Sequence, residues 1–365
     1  MYIVTFIIVL GILVFVHELG HFLAAKAFGV RVDEFALGFP PRIFGKKIGE
    51  TVYAINMIPI GGYVKILGED GDESLKDDEV QRKGKRFSEV SRPKQAIILS
   101  AGILGNIIFA WLAISIGFMI GLPSGQSVPF AKEIGSPSLI ISAVLPGSPA
   151  FDAGLIPGDR IVELKGDGNA ILYPNGESAG EFISNVSSGT PIELSVLRKG
   201  ATTTVSAVAE EGIVEGKRGI GIAMEYAGIL KLAPHKAVIA GTYATWDMTK
   251  SVGIGIYDLI KDAVKGEAKW SSFSGPVGIA LMVGDAEKAG FVNLLILVVL
   301  ISINLAMINL LPFPALDGGR LVFVAIEAII RKPVNQKFFH MANQIGFIAL
   351  LILMAVITYK DITKL

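Results

Sequence analysis

The feature that most constrains this chain is the apolar run from Tyr2 to Phe28. It is long enough to cross a hydrocarbon core of about 30 Å as a helix rising about 1.5 Å per residue. Further runs from Gln95 to Leu122, Phe291 to Leu316 and Ile345 to Ile357, the last with apolar margins, predict four spans in all. With 52% hydrophobic and 18% charged residues and a mean hydropathy of +0.58, the composition excludes an ordinary soluble enzyme, which carries roughly a quarter charged residues. Thirty-three basic residues balance thirty-three acidic ones, so no global field recruits nucleic acid and no such partner is expected. The absence of cysteine removes thiolate nucleophiles, disulfides and zinc knuckles, leaving His, Asp and Glu as metal ligands.

From about Pro123 to Asp262 the composition is that of a soluble domain. The expected fold is a polytopic α-helical membrane protein with one inserted α+β domain. Its expected parts are 1–122 with two spans, 123–230 as the soluble domain, 231–290 as a linker with an amphipathic segment, and 291–365 with two more spans. Arg42, Lys46, Lys47, Lys65, Lys76, Arg82, Lys83, Lys85 and Arg86 place the loop between the first two spans in the cytoplasm by the positive-inside rule. Arg320, Arg331, Lys332 and Lys337 put the segment after the third span on the same side, so the insert and both termini are expected outside. Ala25-Lys26-Ala27 imitates a signal-peptide cleavage site. A signal peptide is not expected, because no basic region leads the run and ionisable residues interrupt it.

Those interrupting residues read His17-Glu18-Leu19-Gly20-His21, the H-E-x-x-H pattern. On a helix, positions i and i+4 share a face, so both imidazoles reach one ion while Glu18 addresses a water beside it. Such a carboxylate serves as general base for hydrolysis at a metal that makes water acidic. Ionisable residues at bilayer depth cost on the order of 2.5–3.5 kcal/mol each on insertion scales and are seldom there without purpose. The competing interpretation is a packed histidine, or an interfacial cluster snorkelling from a helix end.

A catalytic zinc generally takes three protein ligands. His235 follows the insert on the wrong side, and His340 lies in the cytoplasmic loop before the fourth span. The third span ends in Asn309-Leu310-Leu311-Pro312-Phe313-Pro314-Ala315-Leu316-Asp317-Gly318-Gly319-Arg320. Opposite running directions bring Asp317 to the depth of His17 and His21. Pro312 and Pro314 forbid a regular helix there, and Gly318 and Gly319 permit a tight turn and close approach. By itself the segment is equally a helix stopping at the interface, with Asp317 an exposed loop carboxylate.

Together these residues resemble the site-2 protease family of intramembrane metalloproteases, in its bacterial RseP-like branch. The resemblance extends over nearly the whole chain, including Pro59-Ile60-Gly61-Gly62-Tyr63-Val64-Lys65 and Ser274-Gly275-Pro276-Val277-Gly278. It implies Zn2+ held by His17, His21 and Asp317, Glu18 as general base, and Asn304, Asn309, Pro312 and Pro314 at the substrate. It implies a bacterial cytoplasmic membrane, with the active site toward the cytoplasm. One departure is Ile103 in Ala101-Gly102-Ile103-Leu104-Gly105-Asn106, where the family often has proline; Asn106 keeps a part in helix packing.

A helical substrate must unwind before its amides can be attacked. Thr51 to Lys65 is apolar and β-prone, with Gly61-Gly62 suited to a bend, and reads as a membrane-associated β-hairpin. Gly61, Gly62 and Tyr63 would then offer an edge to which a substrate adds as a strand. The alternative is a plain amphiphilic cytoplasmic loop. In the insert, Ser142 to Ala150 and Ala153 to Ile161 look like a PDZ domain of the circularly permuted bacterial kind, in a single copy. Ile192 to Arg198 and Thr202 to Val208 read as strands, and Gly219, Ile220, Gly221 and Ile222 resemble the loop receiving a peptide carboxylate. Such a domain would either bind a freshly exposed chain end or block intact outer domains by size.

The acidic run Glu69 to Glu79 and the basic run Arg82 to Arg86 read as solvated surface and headgroup contact, and Trp246 and Trp270 as interface markers. The expected function is a zinc endopeptidase cutting single-span membrane proteins or peptides, such as anti-sigma factors or remnant signal peptides, after an upstream protease has trimmed them. The alternative is a metal or proton transporter using the same His/Glu/Asp cluster, which the lack of an inverted repeat disfavours. A catalytically dead scaffold is disfavoured by the full set of candidate ligands.

Overall fold

A computed structural model describes residues 2–69, 84–125, 128–145, 147–198, 200–214, 217–266 and 274–363. Trp270 and most of the two charge runs lie outside them. The chain forms two compact units, Met1–Ile114 with Ala244–Leu365, and Ser115–Tyr243.

In chain order the elements begin with α1 (Tyr2–Ala27), β1 (Val32–Ile48), β2 (Thr51–Ile66) and α2 (Arg92–Ile120). The second unit adds β3 (Leu122–Gly125), β4 (Gly135–Val144), α3 (Pro149–Asp152), β5 (Arg160–Gly166), β6 (Asn169–Leu172) and α4 (Gly176–Asn185). It continues with β7 (Pro191–Arg198), β8 (Ala201–Val208), β9 (Glu210–Val214), β10 (Lys217–Gly219) and β11 (Ile222–Leu230). Last come α5 (Pro234–Lys265), α6 (Pro276–Ala289), α7 (Phe291–Asn309), α8 (Asp317–Ile330) and α9 (Gln336–Thr363).

Among the described residues, α1, α2, α7 and α9 are long and apolar enough to cross a membrane. Their outward residues, such as Ile8 on α1, Ile108 on α2 and Ile348 and Ile352 on α9, are apolar and exposed, as a lipid solvent requires. The α1–α2 contact is close because glycine stands at the crossing. A Cβ on Gly20 would lie 2.2 Å from the Ala101 carbonyl oxygen. Ile103, at the family's proline position, is buried within an uninterrupted α2.

The sheet between the first two apolar helices is larger than the expected hairpin. β1 and β2 each bend, giving four segments in the order 62–66, 32–37, 51–56 and 42–48, since Ala36 pairs with both Tyr63 and Ala54 while Phe44 pairs with Ile55. The stretch Val32–Ile48, expected as loop, supplies half of it. Among the described residues, segment 62–66 lies at the edge.

α7 stops at Asn309, and helix resumes only at Asp317, so the two prolines occupy an unwound stretch. That stretch is tightly supported. A Cβ on Gly318 would lie 2.2 Å from the Leu311 carbonyl oxygen, and the Ala315 amide donates to Asn343 Oδ1 of α9 at 3.1 Å. The Ser274–Gly278 motif opens α6, where the buried Asp361 carboxylate of α9 accepts from the Gly275 and Gly278 amides, each at 2.8 Å. It caps the helix from outside its own chain segment.

In the second unit the sheet runs β3-β11-β4-β5-β7-β8, with β6 paired to β5, and β9 and β10 form a separate ribbon. Leu139, Ile141, Ile161, Leu164, Ile192, Leu194 and Val196 fill its core with α4 residues Ala179 and Ile183. The segment expected as a linker, 231–290, holds α5 and α6.

Candidate active site

The histidines come from one turn of α1 and the aspartate from the first residue of α8. His17 Nε2 and His21 Nε2 lie 3.1 and 3.2 Å from Asp317 Oδ2 and 3.3 Å from each other. Both imidazoles are buried. A tetrahedral zinc with bonds of about 2.0–2.2 Å places its ligand atoms roughly 3.3–3.6 Å apart, so the triangle fits that ion with a slight expansion.

The protonation pattern supports the fit. His21 Nδ1 lies 2.9 Å from the Ile98 carbonyl oxygen, which only accepts, so Nδ1 carries the proton and Nε2 presents a lone pair. Two protonated Nε2 groups cannot face each other at 3.3 Å. Asp317 Oδ2 is buried with no hydrogen-bond donor. Two imidazole nitrogens and a carboxylate oxygen therefore converge on one point, and with both histidines protonated at Nδ1 all three present electron pairs to a cation there.

Glu18 lines the same cavity of about 540 Å³ as His17, His21, Tyr63 and Asp317. Its carboxylate accepts from the Val64 amide, which fixes it beside the triangle and against the sheet edge. A Cβ on Gly62 would lie 2.9 Å from the Ala36 carbonyl oxygen and 3.5 Å from Glu18 Cγ, so glycine lets this strand sit against α1. Gly61, at φ 104°, turns the chain into that segment. Tyr63 stacks on Phe39 with ring centroids 6.4 Å apart. Burial pushes its hydroxyl pKa up against the opposing Asn56 hydrogen bond, with Glu34 adding to the rise, so it stays a neutral donor.

Other sequence candidates lie outside this cavity's lining. Asn304 spends its amide on the Leu300 carbonyl of its own helix at 2.8 Å. Asn309 ends α7, Pro312 is exposed, and Pro314 packs its carbonyl against Gly346. His235 and His340 are exposed on α5 and α9. Sequence reasoning missed the cavity walls Phe39, Lys65, Glu69, Ala315 and Arg320, of which Arg320 and Glu69 form an ion pair. Arg320 was within reach, three residues after Asp317 and so on its face of α8. Glu69 was not, because its partner is far away in sequence. Gly102 was also missed: a Cβ there would lie 2.3 Å from His21 Nε2.

In the second unit, Gly219, Ile220, Gly221 and Ile222 line a cleft of about 380 Å³ whose other wall is Gly176, Gly180 and Ile183 of α4. In the same unit, Asp159 is fully buried and held by Arg198 in a two-pronged pair at 2.7 and 2.6 Å. Burial alone would raise its pKa, but the Arg198 hydrogen bonds and the Ile156 amide hold it below the usual carboxylate range.

A family model described as Peptidase family M50 matches residues 5–353. A Clostridium perfringens protein that carries a provisional zinc metalloprotease name is 37% identical over 99% of this chain and 98% of its own. Zinc metalloprotease RasP of Geobacillus kaustophilus is 32% identical over 99% of this chain and 98% of its own. Regulator of sigma-W protease RasP of Bacillus subtilis is 30% identical over 100% of this chain and 98% of its own. With the match running from the first span into the last, this chain belongs to peptidase family M50.

Proposed function

We propose that this bacterial membrane peptidase is a zinc endopeptidase in which His17, His21 and Asp317 hold the ion and Glu18 is the general base, cutting single-span membrane proteins close to the cytoplasmic face. The observation that carries this is the meeting of three buried electron-pair donors within 3.3 Å of one another, with a fourth ionisable group, Glu18, in the same cavity. When bound, zinc supplies Lewis acidity, polarising the scissile carbonyl and acidifying water. Glu18 takes the proton of the attacking water and delivers it to the leaving amine. Segment 62–66 pairs with 32–37 on one side only among the described residues, so an unwound substrate would add as a strand along its other side beside Glu18, with Tyr63 donating from the same edge.

The inserted unit is read as a PDZ-like domain, and its cleft between α4 and β11 suits an extended peptide end. The name of the Bacillus subtilis relative points to regulators of sigma factors as substrates. Remnant signal peptides share the required chemistry, a single apolar span with little outside it. An upstream protease would prepare either kind by removing outer bulk.

The test is Glu18→Gln in purified protein with a model transmembrane peptide. Zinc content stays at the unmodified level while cleavage falls by about 10²–10⁴-fold. Cleavage at the unmodified rate contradicts the assignment of the base. Metal-driven ion flux in liposomes with no peptide product would favour a transporter instead.

A further inference from the structure

Both imidazoles rest on one face of α2. His21 Nδ1 donates to the Ile98 carbonyl at 2.9 Å, Gly102 leaves room for the His21 ring, and the Asn106 amide nitrogen Nδ2 lies 3.4 Å from His17 Nδ1, with Oδ1 buried and unpartnered. Positions 98, 102 and 106 are successive i+4 steps and line one stripe, antiparallel to the step from His17 to His21. Asn106 and Ser302 are both fully buried. The Ser302 hydroxyl of α7 donates to the Asn106 backbone carbonyl at 2.9 Å. The same residue of α2 therefore touches α1, which carries the histidines, and α7, which leads into the loop that delivers Asp317.

We propose that Asn106 is a positioning residue for the metal centre: with its amide turned over by a half-turn from the orientation above, its side-chain oxygen accepts the His17 Nδ1 proton and so keeps Nε2 free for the ion. This rests on the zinc function above. An imidazole that ligates through Nε2 carries its proton on Nδ1, and a buried N–H needs an acceptor. The amide's oxygen and nitrogen exchange places by a half-turn, so the ligand tautomer decides which one faces the ring. With the nitrogen there, His17 Nδ1 would be the acceptor and Nε2 would carry a proton aimed at Asp317 and His21, which excludes a cation. With the oxygen there, the otherwise unpaired Asn106 Oδ1 gains a partner. Leaving such a buried group unpaired costs about 1–3 kcal/mol. The packing role expected for Asn106 remains, carried by its backbone carbonyl.

The experiment measures zinc affinity by chelator competition, and melting temperature without metal, on the full chain in detergent. Asn106→Leu keeps the volume and removes the acceptor, and is expected to lose roughly 10–100-fold in zinc affinity. Asn106→Asp restores an acceptor and is expected to recover most of that loss, although both variants remove the same amide. A role in packing alone predicts the reverse: melting temperature falls for both while zinc affinity stays unchanged, and that result overturns the proposal. If Asn106→Leu does not fold, Asn106→Asp decides, since a folded Asp variant more than tenfold weaker for zinc also overturns it. His17→Ala separates the two claims. If it binds zinc as tightly as the unmodified chain, the zinc function falls and the Asn106 proposal with it; if it loses zinc while Asn106→Leu does not, only the Asn106 proposal falls.

Discussion

Asp159 of the inserted unit and Asp317 of the membrane unit each hold a carboxylate oxygen away from solvent, and the two are treated in opposite ways. Asp159 of the inserted unit is surrounded by donors: both guanidinium arms of Arg198 and the Ile156 amide. Asp317 of the membrane unit points Oδ2 at two imidazole nitrogens and finds no donor. A buried carboxylate without donors is too costly to be kept for stability alone. Asp159 is a structural brace of its unit, whereas Asp317 marks a place where a positive charge is missing from the protein itself. Burial is common to both and distinguishes nothing; the identity of the neighbours does.

The largest expected effect falls on the unsatisfied member. Asp317→Asn removes a ligand charge and should weaken zinc binding by more than the roughly 10–100-fold that loss of an outer partner costs, with the melting temperature of the metal-free protein unchanged or higher. Chelator competition and calorimetry read the two quantities. Next, Gly102→Ala places a methyl 2.3 Å from His21 Nε2 and should cost roughly 10–100-fold in zinc affinity by turning the ring. Gly11→Ala, with nothing within 4 Å of the added methyl, is the matched control and should cost nothing.

The paired member should respond in the other currency, stability. Arg198→Ala strands Asp159 and should destabilise the inserted unit by about 2–3 kcal/mol, the lower part of the usual range because the guanidinium keeps some solvent. Zinc affinity should not move. Hydrogen exchange of β5 and β7 amides in the full chain reads this. The smallest effect is on pH dependence. Because folding lowers the Asp159 pKa, its contribution is complete above the unfolded value of about 3.9 and is lost as pH falls through the lower folded value. Protection of those amides should hold from pH 7 to about pH 5 and decline in more acid solution, and Asp159→Asn should flatten that decline.

Much of this architecture is legible in the residues. Apolar runs long enough to cross lipid appear as α1, α2, α7 and α9, and the i, i+4 spacing of His17 and His21 is enough to put both on one face. Pro312 and Pro314 announce the break between α7 and α8. The first half of the sheet formed by β1 and β2 is not legible, since Gly38-Phe39-Pro40-Pro41 interrupts any alternation and its partners lie in β2. Nor are the residues that steady the imidazoles. Ile98, Gly102 and Asn106 acquire that role only when α2 packs against α1, and no local pattern encodes which of two apolar helices meet. The family pattern expects Asn106 but assigns it to packing; only its distance from His17 Nδ1 gives it an orienting part.

Zinc K-edge X-ray absorption on the purified chain, with and without Asp317→Ala, tests the metal assignment most directly. One zinc per chain is expected, bound by two imidazole nitrogens and by oxygen at about 2.0–2.2 Å, with the site lost or rearranged in the variant. Zinc held in the same coordination and amount after Asp317→Ala would contradict it.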